Sequence, residues 1–156
     1  ASSLGGGRYD VTVPQNMAGK TVEGSISADM GGGKSQAMGK TQFRIKPVPE
    51  PTATIGANIT SGRQSKDVLL TNPLIVAQMS KDFNYELRWN VISYTVTFVK
   101  NNVEEAPITV RGPRFPDNVV SKIRSASAGT QMEISNIKVQ SIAGARSLKT
   151  ILVRIK

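Results

Sequence analysis

Three prolines, Pro47, Pro49 and Pro51, follow directly on the alternating residues Phe43 and Ile45. Each proline fixes its own φ, removes a backbone donor and biases the residue before it towards extended geometry. Residues 47–51 are therefore expected to form a stiff, extended Pro-rich connector between two folded pieces. A chain that spends residues on a rigid spacer is suited to holding things apart or transmitting force.

On the N-terminal side, residues 1–46 read as three strands. Tyr9, Val11 and Val13 alternate, as do Val22, Gly24, Ile26 and Ala28, and Phe43 with Ile45 closes the piece. Gly19 marks a turn, and Gly31, Gly32 and Gly33 open a loose loop. A sandwich needs about seven strands and roughly 100 residues. Residues 1–46 are thus expected to be the C-terminal strands of a penultimate β-domain, without a core of their own.

Residues 52–156 are long enough for a terminal β-sandwich domain. Phe83, Tyr85, Leu87, Trp89 and Val91 are apolar at odd positions, then Ile92, Tyr94, Val96 and Phe98 at even ones. This predicts a long strand over 83–98 whose phase slips by one within 90–93. A second slip falls at Ser135 and Asn136, between Met132 and Ile134 on one side and Ile137 and Val139 on the other. A slip of one residue turns the buried face over, and a β-bulge or sharp twist does that. Asn101 and Asn102 form a turn. Residues 116–126 are the one helix the pattern supports, with Val119, Val120 and Ile123 on one face and Asp117 or Asn118 near the start. A last strand over 150–155 presents Ile151, Val153 and Ile155. With aromatic residues at only 5%, the core must be mainly aliphatic. The expected fold class is all-β: an Ig-like β-sandwich domain with one short helix, preceded by strands of an incomplete second β-domain.

The chain holds no histidine and no cysteine. The commonest general base, the commonest transition-metal ligand and thiolate chemistry are all missing. No catalytic residue, cofactor site or metal site is expected, and the chain reads as a non-enzyme. The net charge is +9, and residues 111–156 hold nine basic and two acidic residues. That density points to an anionic partner, with a solvated basic face as the plainer alternative. Candidate partner-binding residues are Arg111 and Arg114 in a Gly/Pro loop, Lys122 and Arg124 on helix faces away from Val119 and Ile123, and Arg146 in a turn after Gly144. No apolar run spans a bilayer and no signal peptide opens the chain. Starting at Ala1, it is expected to be a trimmed piece of something longer.

Other motifs are weaker. The segment Ala28-Asp-Met-Gly-Gly-Gly-Lys-Ser35 loosely fits a phosphate loop, but that chemistry needs a helix directly after Ser35, and Gly39 and a strand pattern follow instead. It reads as a hairpin loop. Phe115, between Arg114 and Pro116, could stack on a base, yet one aromatic between two arginines is a slight signal, and Phe115 is expected in the core with no nucleic-acid partner. Asn58-Ile-Thr60 matches a glycosylation sequon by pattern alone. Asp82, Glu86, Glu104 and Glu105 have no base, nucleophile or metal ligand to work with and read as strand-edge and turn residues.

Three segments carry a family resemblance: Phe43-Arg-Ile-Lys-Pro-Val-Pro-Glu-Pro, Ser80-Lys-Asp-Phe-Asn-Tyr-Glu-Leu-Arg-Trp-Asn-Val-Ile-Ser-Tyr-Thr-Val and Gly129-Thr-Gln-Met-Glu-Ile-Ser-Asn-Ile-Lys-Val. With them the chain resembles the C-terminal region of the periplasmic gliding-motility protein M family, GldM and its secretion counterpart PorM, over most of residues 40–156 and more loosely over Tyr9–Ile45. The resemblance implies a homodimeric rod of β-domains in the periplasm, anchored in the inner membrane by a segment outside this chain. It implies a non-catalytic component of the type IX secretion and gliding machinery. Such a rod couples an inner-membrane motor protein, reached through N-terminal regions, to an outer-membrane-associated ring component reached through the terminal domain. The alternative from the residues alone is a secreted or surface β-module binding polyanionic glycans through residues 111–156.

Overall fold

The computed structural model describes residues 1–156, the side chain of Gln15 excepted. The chain divides into two compact units, Ala1–Val48 and Pro49–Lys156. The division falls inside the proline run. Pro51 is buried and lines a cleft with Lys149, Thr150 and Ile151, so Pro49 and Pro51 belong to the second unit.

The first unit is two antiparallel hairpins. One joins β1 (Ser2–Gly5) to β2 (Arg8–Asp10), and the other joins β3 (Thr21–Asp29) to β4 (Ser35–Arg44). That is four strands where the pattern predicts three, because β1 and most of β4 are Ser-, Gly- and Gln-rich and carry no apolar phase. The glycine segment is the turn between β3 and β4, pinned where the Gly31 amide donates to Asp29 Oδ1 at 2.9 Å. Strand β4 begins at Ser35 itself, so the helix a phosphate loop requires is replaced by a strand. None of the described residues of this unit is buried. Ile26, Met38 and Phe43 stand open, and the Phe43 ring lies over Gly24, where an added Cβ would sit 3.2 Å from it.

The second unit is a sandwich built around one large sheet. Its elements are β5 (Thr52–Ile55), β6 (Gly62–Gln64), α1 (Lys66–Thr71), β7 (Ile75–Gln78), β8 (Asn90–Lys100), β9 (Val103–Glu104) and β10 (Ile108–Arg111). The chain continues through α2 (Asp117–Ser125), β11 (Gln131–Ser141), β12 (Gly144–Leu148) and β13 (Ile151–Ile155). The seven-stranded sheet runs β10-β8-β11-β13-β6, with β12 beside the end of β11 and β9 beside the end of β8. The antiparallel β5–β7 pair forms a second, two-stranded sheet, and Leu69 of α1 and Val119 and Ile123 of α2 are buried in the core. The fold is all-β and Ig-like. Besides the predicted helix it holds α1, a single short helix whose Ser65 cap accepts from the Val68 amide. At α2 the cap position is Pro116, with no side-chain bond, and Asp117 stands in the first turn, where a carboxylate is favoured.

The strands keep their core face by breaking phase together. Strand β8 buries Val91, then Tyr94, Val96 and Phe98; β11 buries Met132 and Ile134, then Ile137 and Val139. The pairing runs Ser135 with Thr95, Lys138 with Ser93, and Val139 with Val91. One extra residue on β11 is followed by one on β8, so the register is restored. The neighbour on the other side breaks at the same level: Leu148 faces Ile137 in β12, and Ile151 faces Ile134 in β13. Asn136, at the break, has φ 51°, a left-handed backbone that Asn tolerates better than most residues. The two slips seen in the sequence are therefore one feature, with a third at Lys149 and Thr150.

The predicted strand over 83–98 is shorter than its alternation. It begins at Asn90, and residues 79–89 form a loop. Phe83 and Tyr85 stack edge-on at 5.6 Å, Tyr85 is exposed, and Trp89 is buried with its Nε1 donating to Met79 Sδ. No strand pairs with this stretch, and Phe83 packs on Tyr85 and Trp89 on Met79 instead. Phe115 is buried, as its sequence context suggests, edge-on to Tyr94 at 6.1 Å. Burial pushes the pKa of the Tyr94 hydroxyl up, and that hydroxyl donates to the Pro113 carbonyl.

Two outcomes are expected. Asn136→Val should cost about 1–2 kcal/mol, the price of a left-handed backbone for a branched residue, while Asn136→Gly keeps the melting temperature. Thermal melts of the full chain check this. For Tyr94, the fold holds the neutral phenol, whereas the unfolded chain ionises near pH 10. Its contribution is fully present below about pH 10 and is lost as pH rises beyond it. Melting temperature should fall between pH 9 and 11 more steeply in the wild type than in Tyr94→Phe.

Candidate docking surface

The second unit has one finished sheet face and one open one. On the open face, register alone assembles rows across strands. Arg111, Ser93, Lys138 and Ser147 form one row, and Val99, Gln131, Arg154 and Arg63 form another. Between them lie Thr95, Thr97, Thr109, Glu133 and Ser135. The result is a hydroxyl-rich surface bearing Arg63, Arg111, Lys138 and Arg154, with Glu133 opposite the exposed Leu152.

The five basic residues singled out from the sequence lie on several elements. Arg111 ends β10 on the open face. Arg114 sits in the following loop, which runs antiparallel to residues 73–75: Ile75 donates to Pro113, Phe115 donates to Pro73, and Leu74 pairs with Arg114. Lys122, on α2, is half-buried, ion-paired to Glu105, and lies 5.8 Å above the Phe98 ring. Glu105 is thus a structural counter-ion rather than a bare turn residue. Arg124 is exposed near the end of α2, where Lys66 Nζ donates to its carbonyl at 3.0 Å. A cation at that position is favoured by the helix dipole. Arg146 lies in strand β12, not a turn, on the side of Val139, with its guanidinium 6.0 Å from the Trp89 ring centre.

Lys122 and Arg146 therefore also shield aromatic rings from water, an arrangement that stabilises by about 0.5–1 kcal/mol at exposed sites. Among the described residues, Arg111, Arg114 and Arg124 make no ion pair. Sequence reasoning passed over Arg63, Lys138 and Arg154, because only strand pairing brings residue 63 beside residue 154. Among the described residues no group of acidic side chains gathers as a metal site, and no helix is long and apolar enough to cross a membrane.

The second unit is thus a β-sandwich with a covered core and a largely polar, basic sheet face. The sequence matches the GldM C-terminal domain family over residues 47–156. The chain belongs to that family, a structural component of the gliding and type IX secretion machinery. No curated protein sequence matches it.

Replacing Lys122 by Ala should lower the melting temperature through loss of the Glu105 pair and the Phe98 cover. Arg124→Ala should leave it within about 1 °C, since the backbone, not the guanidinium, makes its bond and exposed charges contribute little. Differential scanning of the two variants side by side checks the contrast.

Proposed function

We propose that this chain is the membrane-distal end of a periplasmic rod, anchored in the inner membrane through N-terminal regions, that couples an inner-membrane motor to an outer-membrane-associated ring. The family match over residues 47–156 carries this reading. The terminal unit docks on the ring component, and Pro47, outside that unit, stiffens the chain leading into it. The rod is a homodimer, and its role is non-catalytic. The open hydrophobic residues of the first unit support the dimer, since Ile26, Met38 and Phe43 lack a cover within one chain. The uncovered basic sheet face supports an anionic docking partner. The same face supports polyanionic glycan binding as the second reading.

The distinguishing measurement is association kinetics of the full chain with the isolated ring component at two salt concentrations. Reversing Arg111, Arg114 and Lys138 to Glu should slow association several-fold or more at low salt and leave the melt unchanged. Retention on heparin that vanishes with modest salt, together with no capture of the ring component, would favour the glycan reading. Light scattering at micromolar concentration should give a dimer. Replacing Pro47, which lies outside the terminal unit, by Ser should broaden the interdomain scattering profile without shifting the terminal unit's melt, and should impair secretion in cells.

A further inference from the structure

A small polar cleft of about 170 Å³ lies at one end of the large sheet. One wall is the turn from β8 to β9, with Lys100, Asn101 and Asn102. Another is the loop before β11, with Ser127 and Gly129, and Gln131 and Arg154 close it. Both asparagines have positive φ, 51° and 61°, the backbone of the tight two-residue hairpin turn. That turn fixes Lys100 at the rim. The loop is equally fixed: the Gly129 amide donates to the Ile155 carbonyl at 2.8 Å and the Thr130 amide to Ser127 at 3.1 Å.

The lining is rich in donors and holds no carboxylate. Lys100 and Arg154 bring two positive charges, and neither forms an ion pair among the described residues. Arg63 adds to the imbalance, because parallel pairing sets it directly beside Arg154. Like charges opposite one another on neighbouring strands destabilise a sheet. Glu104, across from Val99, and Glu133, diagonal to Arg154, do not line the cleft. Two cations lining one cleft with amide and hydroxyl donors and no carboxylate, with Arg63 paired beside one of them, form an environment that an anion would relieve.

We infer that this cleft binds an oxyanion, a phosphate or a carboxylate, with Lys100 and Arg154 as its charged ligands and Asn101, Asn102, Ser127 and Gln131 as neutral donors. The inference is separate from the docking reading, because its test needs only small anions and no secretion partner. Backbone amide shifts of the full chain are followed during titration with inorganic phosphate, against sodium chloride at matched ionic strength. Saturable shifts confined to residues 100–102 and 127–131, with at least tenfold weaker binding in Lys100→Gln/Arg154→Gln, are expected. The single variants Lys100→Gln and Arg154→Gln keep the test readable should the double variant fail to fold. A hexaglutamate peptide forms the second arm. Displacement of phosphate at the same amides assigns the site to carboxylates of an acidic segment, and no displacement assigns it to phosphate. Shifts spread evenly over exposed cations such as Arg8 and Lys34, no saturation, or unchanged binding in the variants would overturn the inference.

Discussion

The second unit depends on one constraint: its central strands change buried face at a single level. A strand presents alternate residues to opposite faces, so a lone extra residue would throw the rest of that strand's apolar set into water. Here β8 and β11 each insert one residue, and the β12–β13 segment breaks beside them. Register survives, and the sheet keeps one apolar face from Met132 to Val139. Each of Ile134, Ile137 and Ile151 is almost fully buried beside the break. Burying such a side chain stabilises by about 1.5–3 kcal/mol, so an uncompensated slip would cost several of these contributions at once.

The same break organises the polar side. Because the core face is continuous, so is the opposite one, and cations far apart in sequence fall into rows there. Charge near the core is handled differently. Lys122 is locked by Glu105, Arg146 covers Trp89, and Lys66 bonds a helix-end carbonyl. Of the basic residues in 111–156, some therefore serve packing and others stand on the open face. Net charge alone could not separate the two groups.

What could be read from the sequence followed from the physics of each element. The slips at 90–93 and 135–136 were legible because long apolar runs flank them. The third was not, since Leu148 is the only buried residue on its side of the break in that segment. Helix α2 declared itself through Val119 and Ile123, both fully buried. The alternation of Phe83, Tyr85, Leu87 and Trp89 misled, because a period of two reports which side chains could share a face, not whether a strand lies beside them. Strands β1 and β4 escaped notice for the opposite reason: they bury nothing, so no phase marks them. The basic face was only half legible. Arg111 was visible as a loop-edge cation, but Arg63 and Arg154 meet only through the parallel pairing of β6 with β13.

That parallel pair ties the two ends of the second unit together. Residues 62–64 are synthesised well before residues 153–155, yet they are neighbours in the finished sheet. Ile151, Val153 and Ile155 also supply core that nothing earlier in the chain replaces. Until Ile155 is available, β6 has no partner and the sheet lacks a strand between β11 and β6. The unit therefore cannot close progressively during synthesis. It must travel as an open chain and fold in one late step, which makes its final residues, rather than its first, the moment of commitment.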